Sequence, residues 1–213
     1  MKTIVIKMLA MCMVTVFLLI GCGSDPQESN SNTDTTQEET MPEEELLTGL
    51  HHVNINIKDY GTVSVELDAD NAPITVTNFV TLAQSGFYDG LTFHRIMDGF
   101  MMQGGDPLGD GTGGSEQTIK GEFSNNGVGN PLSHTRGAIS MARKSISMDS
   151  ASCQFFIVHQ DSVRLDGDYA VFGYVTEGME IVDEICENAV VVDMNGTVPA
   201  EYQPIIESIE VLD

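Results

Sequence analysis

FHRIMDGFMMQGGD, residues 93–106, belongs to two short apolar strand-like runs, LTFHRIM and GFMMQGGD, with an arginine and a glutamine set among Phe, Met and Ile. Burying an unpaired guanidinium costs free energy, so Arg95 has two readings. It pairs with an acidic neighbour such as Asp98, or it faces a pocket instead of the core.

Upstream, HHVNINIKDYGTVSVELD alternates Val53, Ile55 and Ile57, turns near Gly61, and alternates again at Val63, Val65 and Leu67. That pattern predicts a hairpin with one buried face. Pro73 suits a first helical turn, and Val76, Phe79, Val80 and Ala83 follow at helical spacing, with Gly86 as the stop. Downstream, GAISMA, SCQFFIVH and YAVFGYV read as strands. Ile181, Val182 and Ile185 mark a second helix, and PIIESIEVL closes with alternation. Many short strands with only two helices predict a mainly β fold. We expect a closed eight-stranded antiparallel β-barrel capped by two α-helices over residues 50–213.

The first 21 residues read as a signal segment. Lys2 and Lys7 precede an apolar stretch from Met8 to Ile20, short for a membrane span. It ends in Leu19-Ile20-Gly21-Cys22, which resembles the bacterial lipobox, with Cys22 as the lipidated residue. Residues 22–49 then read as a linker. Between Gly23 and Thr48 there are eight acidic residues and no basic ones, too little apolar surface to fold. A random coil of this length spans about 28 Å. Together these features predict a domain anchored by lipid on the extracytoplasmic side of a bacterial membrane.

The formal net charge is −23. A chain this acidic is repelled by nucleic acid backbones, which excludes that class of partner. With Cys22 lipidated and Cys12 cut away, Cys153 and Cys186 remain, and buried free thiols are the default over a disulfide. GDGTGG at 109–114 matches G-x-G-x-x-G but lacks the strand before it and the helix after it that a dinucleotide site needs. It reads as a glycine-rich surface loop. A calcium loop starting at Asp106 fails at its third position, Leu108, and at its twelfth, Gln117. His51 and His52 point to opposite faces of a strand, so no metal ligand set is expected.

The motifs FHRI, GFMMQGGD, SMA, CQFFI and RLDGDYAVFG occur in one order along the chain. In these the sequence resembles the cyclophilin family of peptidyl-prolyl cis–trans isomerases, over roughly residues 51–213. The resemblance implies that Arg95 is the catalytic arginine, with Gln103 beside it. It implies a substrate groove made by His94, Phe100, Met101, Ala142, Arg143 (through its backbone), Gln154, Phe156, Leu165 and Tyr169. Two departures stand out. The family's frequent tryptophan before LDG is Arg164 here, and that tryptophan contributes to cyclosporin binding, so weak drug sensitivity is expected. The segment RKSISMDSAS after Met141 is longer than in short eukaryotic members and should alter the groove rim.

The chemistry needs no nucleophile, metal or cofactor. An X–Pro amide isomerises slowly because nitrogen conjugation gives C–N double-bond character. At the twisted transition state the proline nitrogen regains a lone pair, which a permanent donor such as Arg95 can meet. Two functions fit this reading. One is an active isomerase that assists the folding of exported proteins. The other is a proline-binding chaperone module whose turnover is incidental. Either takes proline-containing polypeptides as partners, and a monomer is expected.

Overall fold

The computed structural model describes residues 46–213. The signal segment 1–21, Cys22 and the linker as far as residue 45 lie outside the described residues.

Eight strands form one antiparallel sheet. β1 (Leu50–Ile57) and β2 (Gly61–Asp68) make the expected hairpin, with Val53 opposite Val65 and Ile55 opposite Val63. The remaining strands are β3 (Thr92–Met97), β4 (Met101–Asp106), β5 (Ala138–Met141), β6 (Phe155–Val158), β7 (Val171–Glu177) and β8 (Ile206–Val211). Their order across the sheet is β3-β4-β6-β5-β7-β2-β1-β8. The sheet curls into a half-barrel. Helix α1 (Pro73–Gln84) packs against β8 and β2, and α2 (Met179–Asn188) against β2 and β4.

The expected closure of the barrel is not present. β3 and β8 do not pair as strands; they approach only at their ends, where Gly90 N–H donates to the Ile206 carbonyl (2.8 Å), Ile206 N–H donates to the Leu91 carbonyl (2.8 Å) and Thr92 bridges Ile205. The edge of β3 is instead covered by residues 196–204. Ile96 N–H donates to the Gly196 carbonyl (2.8 Å), Val198 N–H to that of His94 (3.0 Å) and Phe93 N–H to that of Pro204 (2.9 Å). Pro199 and Pro204 have no N–H to give, so this stretch cannot form a continuous ladder. Gly196, at φ 81°, allows the close approach, because a Cβ there would collide with the Ile96 carbonyl.

The concave face holds the main core. Alternate residues of β1 and β2 point inward, and Phe79 from α1 meets Tyr88 (5.2 Å between ring centroids), Phe155 (5.3 Å, edge-on) and Phe172 (5.2 Å). The Tyr88 hydroxyl donates to the Cys153 carbonyl, so the buried phenol is satisfied. Cys153 and Cys186 are free and buried, and burial pushes the Cys186 thiol up to about 12.

β5 and β6 break the inside-outside alternation. Every residue of AISM and FFIV is buried, which requires cover on both faces. Ile139, Met141, Phe155 and Ile157 face the main core, while Ala138, Phe156 and Val158 join Met101 and Val171 in a second cluster on the convex face. That second apolar surface is where the site lies.

Helix α1 begins at a residue that cannot cap it. Ala72 offers no side-chain acceptor, and Glu122 supplies one from a distant loop. Its carboxylate accepts from Ile74 N–H (3.0 Å), Thr75 N–H (2.8 Å) and the Thr75 hydroxyl (2.7 Å). Burial raises the Glu122 pKa, and these bonds to Thr75 and Ile74 oppose that rise. Glu122→Ala strands three donors and should cost about 2–4 kcal/mol in urea unfolding. Glu122→Gln, which keeps an acceptor, should cost less; equal losses would show that the bonds are not what holds α1.

Candidate active site

The strand register lays the site out in rows. Across the convex face Arg95 stands opposite Gln103, Gln103 opposite Phe156, and Phe156 opposite Ser140. In the next row Met97 faces Met101, and Met101 faces Val158. A register shift between Phe93 and Arg95 marks a bulge in β3. Phe93 and His94 are consequently both buried, and Arg95 is turned out to the convex face.

Arg95 is half-buried and has no carboxylate partner among the described residues. Nε–H donates to the Asn195 carbonyl (2.8 Å) and Nη1–H to Gln103 Oε1 (3.2 Å). The other near atoms are thioethers, Met97 Sδ at 3.3 Å from Nη2 and Met101 Sδ at 3.8 Å from Nη1. Of five N–H donors, only these two meet oxygen among the described residues. Asp98 lies 3.4 Å from His159 instead, so the ion-pair reading of Arg95 falls. Burial lowers the pKa of Arg95, with Tyr169 and Asp193 raising it in part; an arginine so placed stays protonated.

A chain of amides holds Gln103 in place. Its Nε2–H donates to Gln154 Oε1 (2.9 Å), whose own Nε2–H donates to the Gly113 carbonyl (2.8 Å). Arginine has no acceptor, so the amide oxygen of Gln103 must face it.

Beside Arg95 lies an apolar cradle. Phe100, Leu165 and Tyr169 pack with Met101 and Phe156. Tyr169 meets Phe156 edge-on at 6.0 Å. Beneath, the fully buried His134 stacks on Phe156 (5.9 Å, 13°), and its ring nitrogens lie 2.7 Å from Asp166 Oδ1 and 3.0 Å from Ser140 Oγ. Phe100 is held by its neighbour strand: His159 N–H donates to the Phe100 carbonyl (2.9 Å) and Gly99 N–H to His159 Nδ1 (3.0 Å).

On the far side of Gln103 and Gln154 is a cavity of about 290 Å³, walled by Gly111–Ser115, Ala142, Arg143 and Lys144. The glycine-rich loop is therefore a wall of the groove. Asp106 folds it by accepting from Leu108 N–H (2.9 Å) and Gly111 N–H (2.6 Å). Ala142 N–H is bonded to the Gln154 carbonyl, whereas the N–H and carbonyl of Arg143 make no hydrogen bond among the described residues. They are open to an extended peptide.

The structure brings together Arg95, Phe100, Met101, Gln103, Ala142, Arg143, Gln154, Phe156, Leu165 and Tyr169. It does not bring His94 to them. The imidazole is 4% exposed and sits under the loop, where a Cβ on Gly111 would stand 3.5 Å from Nε2. Met97, His134 and the Asn195 carbonyl are part of the site without having been singled out as such by sequence. Asn195 is used through its backbone, which no motif reports, and His134 is separated in sequence by the whole of β5 from the ring it supports.

Comparison with known proteins gives the family and the fold. Residues 52–211 match the family model of cyclophilin type peptidyl-prolyl cis-trans isomerase. The chain is 49% identical over 124 residues to peptidyl-prolyl cis-trans isomerase B of Bacillus subtilis, covering 58% of this chain and 82% of that one. It is 44% identical over 133 residues to a peptidyl-prolyl cis-trans isomerase of Helicobacter pylori, covering 62% and 78%. Its structure is similar to a Cryptosporidium parvum cyclophilin, at TM-score 0.68 and 30% identity over 78% of this chain and 99% of that one. The same cyclophilin was also solved in the presence of the dipeptide Ala-Pro, with TM-score 0.67, 31% identity and coverage of 76% and 99%.

Both ring nitrogens of His94 are buried without a hydrogen-bond partner among the described residues. Burial lowers its pKa below 6.5, Asp106 and Asp110 pull it up, and Arg95 pushes it down. The unfolded chain takes up a proton near 6.5 and the folded chain resists it, so stability is lost as pH falls below about 6.5. The urea midpoint should drop between about pH 7 and about pH 5. His94→Leu should flatten that drop without lowering the midpoint at about pH 7; an unchanged slope would mean that His94 titrates as a free imidazole.

Proposed function

We propose that this chain, which belongs to the cyclophilin family of peptidyl-prolyl cis–trans isomerases and catalyses rotation about X–Pro bonds, acts on exported polypeptides at a bacterial membrane surface. The observation that carries the mechanism is an open guanidinium, two of its five donors bound to oxygen, beside an apolar cradle.

Phe100, Met101, Phe156 and Leu165 hold the proline ring, with Tyr169 at its edge. The free N–H and carbonyl of Arg143, next to Ala142, pair with the substrate backbone. Gln103, fixed by Arg95 and Gln154, orients the peptide beside the reacting bond. With one side of the amide held, the other is free to turn. As the C–N bond twists, the proline nitrogen loses conjugation and becomes a hydrogen-bond acceptor. An Nη–H of Arg95 that faces only thioether or open space donates to it. The ground-state nitrogen has no lone pair to offer, so this bond forms only at the transition state, where it lowers the barrier. The half-buried setting strengthens it.

The signal segment, the lipobox at Cys22 and the acidic linker support a lipid-tethered domain on the extracytoplasmic side. There, newly exported chains present unfolded X–Pro bonds.

Arg95→Ala should lower kcat/KM by at least about a hundredfold, roughly 2.7 kcal/mol. Its melting temperature should stay near that of the wild type, because no ion pair is broken. Normal turnover in a folded variant would remove Arg95 from the mechanism. For the tether, wild-type chain should partition into detergent while Cys22→Ser stays in the aqueous phase or unprocessed. A processed Cys22→Ser that remains membrane-bound would defeat the anchor.

A further inference from the structure

The cations of this acidic chain are concentrated at the groove. Residues 46–213 contain 24 of the 32 acidic residues and seven of the nine lysines and arginines. Four of those seven, Arg95, Arg143, Lys144 and Arg164, stand on the groove. Carboxylates are plentiful, yet among the described residues Arg136 is the one Lys or Arg in an ion pair, with Asp183 at 2.7 Å.

The groove cations are held without neutralisation. The Arg164 guanidinium lies 4.4 Å over the Phe100 ring, and that of Arg143 lies 4.8 Å over Tyr169. Stacking uses the flat faces and leaves N–H edges pointing outward. Arg143 spends Nε–H on the Asp168 carbonyl (2.8 Å) and Nη1–H on that of Lys144 (3.2 Å), leaving Nη2 open. Among the described residues the Arg164 guanidinium makes one hydrogen bond, from Nη1–H to Ser162 Oγ (3.4 Å). The nearby carboxylates bond to other groups, Asp166 to Ser133 and His134, Asp168 to Asn125, and Asp193 to Thr197, and among the described residues none pairs with a groove cation. The groove thus presents unspent positive charge on both flanks of the proline cradle, Arg164 by Phe100 and Arg143 with Lys144 along the cavity wall.

We propose that the groove selects X–Pro bonds flanked by carboxylate side chains, with Arg164, Arg143 and Lys144 as the specificity-determining residues. This rests on the isomerase reading of the groove. The net charge of the whole chain favours the opposite, cationic peptides, but at 0.15 M salt charges more than about 8 Å away are largely screened. The local cations then decide.

A suitable probe is the chain's own segment EETMPEEEL, residues 38–46, in which Met41–Pro42 is flanked by five glutamates. Catalysed cis–trans exchange is measured by NMR on this peptide and on versions with all glutamates changed to glutamine or to lysine. At physiological salt, kcat/KM should fall in the order glutamate, glutamine, lysine, with at least about fivefold between the ends. Arg164→Gln and Lys144→Gln should each shrink that ratio, as should salt near 1 M, where the Debye length is about 3 Å. Equal rates for the three peptides, or a faster lysine version, overturn the charge preference alone. No catalysis of the glutamine peptide by wild type overturns the isomerase reading, and the preference with it.

Discussion

The pairing of β4 with β6 is the constraint on which the site depends. Its register sets Met101 against Val158, Met102 against Ile157, Gln103 against Phe156 and Gly104 against Phe155. Because side chains alternate, this one ladder builds two apolar surfaces at once. Met102, Ile157 and Phe155 go to the main core, while Met101, Val158 and Phe156 go to the convex face. A slip of one residue would move Gln103 into the core and Met102 out onto the groove. The core residues fix that register, so the core also fixes where the catalytic face lies. Folding stability and active-site geometry are thereby the same set of hydrogen bonds.

Much of this was legible in the sequence, for a definite reason. β1, β2, α1 and α2 each bury one face, and one-faced burial leaves a clear period. FFIV and AISM bury both faces and show none, so they could be read only as strands of unknown orientation. The arginine in FHRIM was conspicuous because an unpaired cation conflicts with an apolar strand, and the structure resolves the conflict by giving the strand a second, open surface. Barrel closure was misjudged because it depends on residues 196–204, where prolines interrupt the ladder. His94 went astray for a related reason. The bulge before Arg95 reverses which neighbours share a face, and a bulge leaves no periodic signal in six residues. The Asn195 carbonyl and the thioether of Met97 act through position alone, which no spacing rule encodes.

Electrostatics and packing are divided unusually here. Arg95, Arg143 and Arg164 of this acidic fold are held by aromatic faces and backbone carbonyls instead of carboxylates. Such contacts orient a guanidinium and leave its charge available. An ion pair would have fixed the same side chain and spent it.

The placement of β1 has a consequence for how the chain is made. β1 lies between β2, which follows it directly, and β8, the last strand, with Val53 opposite Val211 and Ile55 opposite Ile209. A polypeptide emerging N-terminus first can form the first hairpin at once. It must then leave one edge of β1 unpaired until residues 206–211 arrive. That edge carries exposed backbone donors and acceptors throughout synthesis, the kind of surface on which unfinished chains associate. Completion of the sheet therefore waits for β8, and a chain cut short before it would expose a sticky strand in place of a finished domain.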